Sequence, residues 1–246
     1  MAHGPSVPRR VGSEPTEWVV HDEPSTCVYL PGHVARLPLR LPARPLRREE
    51  LAKRLREGDR RQGLLLYRPA CPGCDACEAI RLDTTSFRPS RSQRRAYRRG
   101  ERLLTTSIGA PVATREKVDL YNRHKLERDL AVGDDLLDFG SYREFLVESC
   151  VDTIEIEYRL DGRLVAIALT DRATDGLSAV YAYFDPSYAA LSLGTYSIMK
   201  QLELCQEWGL RYLYLGLYVA GSTPMEYKVR FRPHERRIDG RWTVFA

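Results

Sequence analysis

The chain has 246 residues, 43% of them hydrophobic, and a formal net charge of +5. That is enough apolar material for a sizeable core and it argues against global disorder. No apolar run approaches the ~20 residues of a membrane span, and MAHGPSVPRRVGSEPTEWVV lacks the apolar centre of a secretion signal. A cytoplasmic protein is expected, whose six cysteines stay reduced, with any tight cluster of them binding metal.

Residues 1–25 are rich in proline, charge and small side chains, and are expected to be a flexible tail. Cys27 opens CVYLPGHVARLPLRLP, where alternation from Val34 to Leu41 predicts a strand. Leu46, Leu51, Ala52 and Leu55, followed by Gly58, predict a helix over 46–58 with a glycine stop. GLLLYRP reads as a short buried strand entering YRPACPGCDACEAIR, which spaces Cys71, Cys74 and Cys77 two residues apart. IRLDTTSF is a further strand. Then the charge concentrates: of the residues from Arg88 to Arg102, seven are arginine and one is acidic. SRSQRRAYRRGERL predicts a helix capped by Ser90 or Ser92. A solvated helix face normally mixes signs. Arginine's planar fork suits phosphate, so Arg91, Arg94 and Arg95 are candidates to hold a polyanion.

The second half predicts helices over 118–130 and 141–149, then two alternating runs joined by Asp161-Gly162, a strong hairpin signal. Asp175-Gly176 turns into a third strand, LSAVYAYF. LSLGTYSIMKQLELCQEWGL is a long amphipathic helix, and RYLYLGLYV a final buried strand. Hairpin, strand, helix, strand is the order of an N-acetyltransferase-like core. The expected fold is therefore α+β: a Cys/Arg-rich domain over 26–110, then a GNAT-like acyltransferase domain over 111–246. In YKVRFRP, alternation would put Lys228, Arg230 and Arg232 on one face of a strand and Tyr227, Val229 and Phe231 on the other.

CVYLPG, LLYRPACPGCDAC, FRPSRSQRR, YAYFDP, SLGTYSI and YLYLGLYVAGSTPMEYKVRFRP together resemble the aminoacyl-tRNA–protein transferases of the N-end rule pathway, in their shorter bacterial, leucyl-transferring branch. The resemblance runs from about Cys27 to Arg232. It implies transfer of an aminoacyl group from tRNA to the N-terminal amine of proteins beginning with Asp or Glu, which marks them for degradation. An arginyl donor is the alternative. A metal-containing RNA-binding module without catalysis would not need YAYFDP or SLGTYS. A coenzyme A acetyltransferase would favour a glycine-patterned pyrophosphate loop that AALSLGT lacks.

An aminoacyl ester is already activated, so the chemistry requires no cofactor. Tyr183 and Asp185, ending a core strand, are candidates for proton donor and general base; Asp185 could equally cap the turn before Pro186. Ser192, Gly194, Thr195 and Tyr196 begin the long helix, whose N–H groups could take the terminal tRNA phosphate. Tyr227, Lys228 and Arg230 are candidates for holding the acceptor. Four thiolates, from Cys27, Cys71, Cys74 and Cys77, would suit zinc or an iron–sulfur cluster. Cys150 and Cys205 are expected in the core.

Overall fold

The computed structural model describes residues 8–128, 130 and 136–246. The first half forms strands β1 (Arg9–Val11), β2 (Glu17–His21), β3 (Pro24–Thr26), β4 (Val34–Arg36) and β5 (Leu39–Pro42), helix α1 (Arg48–Arg56), strands β6 (Arg60–Gln62), β7 (Leu65–Tyr67) and β8 (Glu78–Asp83), helix α2 (Arg91–Leu103) and strand β9 (Leu104–Gly109). The second half adds helices α3 (Arg115–Glu127) and α4 (Phe139–Tyr142), strands β10 (Thr153–Leu160), β11 (Arg163–Arg172) and β12 (Gly176–Phe184), helix α5 (Leu193–Glu207), and strands β13 (Tyr212–Tyr218), β14 (His234–Ile238) and β15 (Arg241–Phe245). Two 3-10 segments, Pro186–Leu191 and Thr223–Arg230, precede α5 and follow β13.

The chain is α+β, as expected. An eight-stranded sheet runs β15-β14-β8-β13-β12-β11-β10-β9, and a five-stranded sheet runs β1-β2-β5-β7-β6. In the large sheet β11 is buried without interruption from Leu164 to Asp171, because both of its faces are covered. One face packs under α2 and α5 through Ile156, Tyr158, Leu177 and Leu213; the other packs under α3 and α4 through Leu164, Ile167 and Tyr183. Gly100 makes the α2–α5 contact possible: a Cβ there would sit 2.1 Å from the Tyr196 ring.

Three differences from the sequence reading follow from pairing between distant residues. Of the expected tail, residues 1–7 lie outside the described residues, but β2 is a central strand of the small sheet and Glu17 is fully buried. The run Val34–Leu41 breaks before Pro38, which lacks the N–H a ladder needs, so β4 pairs β3 while β5 joins the five-stranded sheet. The third difference concerns the border expected at residue 110. β8 lies between β13 and β14, and β9 forms the edge beyond β10, so the large sheet takes two strands from upstream of that border.

Candidate active site

The parallel strands β12 and β13 are joined through α5 and pair only over Gly176–Ser178 and Tyr212–Tyr214. Beyond those residues they diverge. The fork opens a cavity of about 830 Å³ between them, lined by Ala179–Ala182 of β12, Leu215–Leu217 of β13, and the start of α5 at Ser192–Thr195. From the small sheet, Arg60 and Tyr67 enter the same cavity, and Lys228 closes another side. Arg60 donates to Ser178 Oγ at 3.1 Å and to the Ala179 carbonyl at 3.0 Å. Lys228 Nζ donates to the Leu217 carbonyl at 2.5 Å. Burial first, and then the charge of Arg60, brings the Lys228 ammonium down to about 7.

A second hollow of about 270 Å³ adjoins this cavity and shares Ser192, Thr195 and Tyr227 with it. Its cationic wall is Arg95 and Arg99 of α2 together with Arg230. The expected Ser90 cap is present: Ser90 Oγ accepts from the Gln93 N–H, and the Gln93 side chain reaches back to the Ser90 N–H. Gln93, Ala96 and Gly100 form the buried stripe of α2, which turns Arg91, Arg94, Arg95 and Arg98 outward. Gln93 also donates to the Arg230 carbonyl at 3.1 Å, tying the arginine helix to the segment that carries Lys228. Ser192 sits in the left-handed region at φ 56° and its side chain does not cap α5. The first N–H groups of that helix thus receive no cap from Ser192.

The structure gathers some expected residues here and removes others. Ser192, Gly194, Thr195, Tyr227 and Lys228 line the cavity, while Arg95 and Arg230 line the adjoining hollow. Tyr196 does not: it is fully buried, and its hydroxyl donates to Glu101 at 2.7 Å. Tyr183 is also corrected. It has no exposed surface, faces α3 and α4, and shares a 2.5 Å hydrogen bond with the Tyr142 hydroxyl; burial pushes its phenol far above the ordinary range. It reaches no substrate.

Asp185 is 1% exposed and caps the 3-10 segment, accepting from Ser187 N–H at 3.0 Å, with Arg123 and Arg163 at 2.8 and 3.1 Å. Burial raises its carboxyl, but the Ser187 hydrogen bonds and the Arg123 charge hold it below the usual range. So held, it is a poor base. The strand expected over YKVRFRP is instead the 3-10 segment through Arg230, which begins at a Ser-Thr-Pro turn. The expected cationic face is therefore broken: Lys228 is buried and Tyr227 is 45% exposed. Arg60 was absent from the sequence reading. Its only local sign is the Arg60-Arg61 pair on a short strand, where neighbours point to opposite faces.

Cys71, Cys74 and Cys77 share the β7–β8 loop, and the thiol of Cys77 is pushed up to about 11 by burial, then by Cys71, Cys27 and Cys74. Cys27 Sγ accepts from the Leu30 N–H and Cys71 Sγ from the Arg36 N–H, each at 3.4 Å. The donor type suits zinc or iron–sulfur. No group of three or more His, Cys, Asp or Glu already placed to hold an ion occurs among the described residues. Cys150 and Cys205 are buried, as expected.

With this geometry in place, comparison with known proteins is specific. The family model for the N terminus of arginine-tRNA-protein transferase matches residues 25–95, and that for its C terminus residues 116–238. An aspartate/glutamate leucyltransferase of Chromobacterium violaceum is 39% identical over 89% of this chain and 90% of its own. One of Gluconacetobacter diazotrophicus is 42% identical over 79% and 75%, and one of Thiobacillus denitrificans 37% identical over 88% and 90%. Among solved structures, L-PGS from Bacillus licheniformis aligns with 61% of this chain and 49% of its own at a TM-score of 0.45 and 16% identity.

Proposed function

The chain belongs to the arginine-tRNA-protein transferase family, and we propose that it moves a leucyl group from leucyl-tRNA to the N-terminal amine of proteins that begin with Asp or Glu. The observation that carries the choice of donor is the lining of the cavity. It offers apolar wall at Phe145, Ile198, Leu215, Leu217 and Met225, and no carboxylate among the described residues. A leucyl side chain loses nothing there. An arginyl guanidinium would be desolvated without an anion to meet it.

The reaction is an ester aminolysis. The amine nitrogen attacks the ester carbonyl carbon, an amide bond forms, and the bond to the ribose oxygen breaks. The ammonium gives up a proton and the ribose oxygen gains one. With an ordinary pKa near 8, on the order of a tenth of such amines are neutral at pH 7, so the protein's main contribution is placement, which supplies ~7–11 kcal/mol in well-oriented cases. The hollow beside α2 supports a path for the acceptor end of the tRNA. Phosphates lie against Arg95, Arg99 and Arg230, the terminal phosphate meets the N–H groups at the start of α5, and the aminoacyl ester passes Ser192 and Thr195 into the cavity. The β10–β13 and α5 order supports an N-acetyltransferase-like descent for this half, and dependence on tRNA supports a cytoplasmic location. No described helix is long and apolar enough to cross a membrane.

The test is direct. Labelled leucyl-tRNA or arginyl-tRNA is incubated with peptides beginning Asp, Glu or Ala, and label is followed into peptide. Leucine should reach the Asp and Glu peptides alone; efficient arginine transfer without leucine would reject the assignment.

The same proposal includes a zinc ion or iron–sulfur cluster at Cys27, Cys71, Cys74 and Cys77, supported by the loop that Cys71, Cys74 and Cys77 share and by the electrostatic influence of the other three thiols on Cys77. Such a centre would brace the loop between β7 and β8, and no step of the transfer runs through it. Anaerobic purification and elemental analysis should find metal in the wild type and lose it in Cys74→Ala. A metal-free, fully active wild type would dismiss the centre.

A further inference from the structure

Five lysine or arginine residues are buried among the described residues: Arg60, Arg61, Arg81, Lys117 and Lys228. Three of them carry their own anion. Arg61 makes a two-pronged pair with Asp171, both bonds 2.9 Å; Arg81 pairs with Glu235, and Lys117 with Glu155 and Glu157. The other two, Arg60 and Lys228, make no ion pair with any described residue, and they line the same cavity. Each is 8% exposed. Their hydrogen-bond acceptors are all uncharged: Ser178 Oγ, two backbone carbonyls, and for Lys228 the Met225 sulfur at 3.6 Å.

This is a costly arrangement. A buried cation without an anion bears its desolvation unrelieved, and two in one cavity also repel. The contrast with Arg61, one residue along the same strand, shows that the fold can supply a partner when the charge has only a structural role. A guanidinium has five N–H donors in a planar fork, and Arg60 uses one on each of two neutral acceptors. What remains matches a carboxylate approached from the cavity, with an ammonium as a second contact.

Resting on the transfer reading above, we propose that Arg60 and Lys228 form the receptor for the side-chain carboxylate of the acceptor's first residue, and so set the preference for Asp and Glu over their amides. The anion that the described lining lacks is the one the substrate brings. Asn and Gln have the same shape and would leave both cations unmatched, the kind of mismatch that separates substrates steeply. Arg60 comes from the small sheet and Lys228 from the segment after β13, so acceptor recognition is assembled from both ends of the chain.

The experiment compares a peptide beginning with Asp and its Asn-initiated counterpart, using the full-length protein. Two quantities are read: the ratio of kcat/KM for leucyl transfer, and the ratio of affinities by calorimetric titration without tRNA. In Arg60→Gln and in Lys228→Met both ratios should fall at least tenfold, with leucyl-tRNA binding retained; Arg60→Lys should recover part of the loss. A folded Lys228→Met and a folded Arg60→Gln that keep the wild-type ratios would overturn the proposal. If Arg60→Gln does not fold, Lys228→Met decides. If the wild type moves no leucine to any peptide, the transfer reading fails by itself; the calorimetric ratio still decides the receptor, which stands if Asp is preferred and the variants lose that preference.

Discussion

The two sheets are held together by different physics. The large sheet is dominated by apolar packing, with long strands, β11 buried along eight consecutive residues, and helices on both faces; its buried cations are met one at a time, Arg81 by Glu235 and Lys117 by Glu155 and Glu157. The small sheet has strands of three to five residues and buries charge. Glu17 accepts from Arg40 at 3.1 Å and from Arg54; Asp59 meets Arg40 and Arg68, each at 2.8 Å. Apolar contacts degrade gradually under substitution, whereas a buried charge network fails when one member is removed. Arg60 sits where the two regimes meet, on a strand of the small sheet with its guanidinium against Ser178 and Ala179 of the large one.

The sharpest way to break this contrast is Glu17→Gln, which leaves Arg40 and Arg54 facing a neutral amide. A loss of about 3–5 kcal/mol is expected, as for other broken buried pairs. Denaturant unfolding followed at Trp18, on β2, should move well ahead of the signal from Trp208, beside the large sheet. A loss below about 1 kcal/mol, on the same scale, would show that the network is ornamental.

Acid tests the other side. His124 on α3 is 3% exposed and packs 4.6 Å from the Phe184 ring. Burial brings its imidazole down to about 4, opposed by a hydrogen bond to the Phe184 backbone and helped by the charges of Arg128 and Lys125. Its folded pKa lies below its unfolded value, so the unfolded chain binds the extra proton first. This contribution is intact above about pH 6.5 and is lost as pH falls toward 4, by about 2–4 kcal/mol. His124→Gln should flatten that part of the pH–stability curve. An unchanged slope would leave acid sensitivity to the small sheet alone.

A smaller effect is expected at Gly100→Ala, which forces the Tyr196 ring away from α2; overpacking of this kind costs about 1–3 kcal/mol. Thermal melting should show the loss, and a neutral result would mean that α2 slides freely over α5. Least of all should stability respond to replacing Arg94, Arg95, Arg98 and Arg99 by alanine together. Here the change should appear in tRNA affinity and in its salt dependence, whose log–log slope drops by roughly one for each phosphate no longer neutralised. An unaltered slope would return α2 to a purely structural role.

Where local chemistry decides the backbone, the sequence was readable. Asp161-Gly162 has φ of 48° and 81°, the paired positive values that a two-residue hairpin demands. Ser90 with Gln93 is a capping box visible as letters. Asp239-Gly240 repeats the hairpin signal, with φ of 48° and 79° between β14 and β15, and was there to be read although the terminal hairpin was not expected. What could not be read depends on partners far away in sequence. β8 enters the large sheet because β13 and β14 flank it. Tyr183 points at Tyr142 rather than the cavity. Arg60 looks like Arg61 until one finds that only one of them has an acid. Roles at this site are assigned by pairing, and pairing between distant residues leaves no periodic trace.

The fork between β12 and β13 has a further consequence. Ala179 directly follows Ser178, the last paired residue of β12, and Leu217 lies three residues beyond Tyr214, the last of β13. Their carbonyls are the ones that Arg60 and Lys228 take up. The opening of the sheet and the placing of the two cations are therefore one event: strands zipped further would withdraw those oxygens into a ladder and leave the cations with nothing to hold. Conversely, with neither cation present, two backbone oxygens would face an apolar recess unmet. Grafting this charge pair onto a continuous sheet would fail for that reason, and any variant that reseals the fork should lose charge recognition along with the room for substrate.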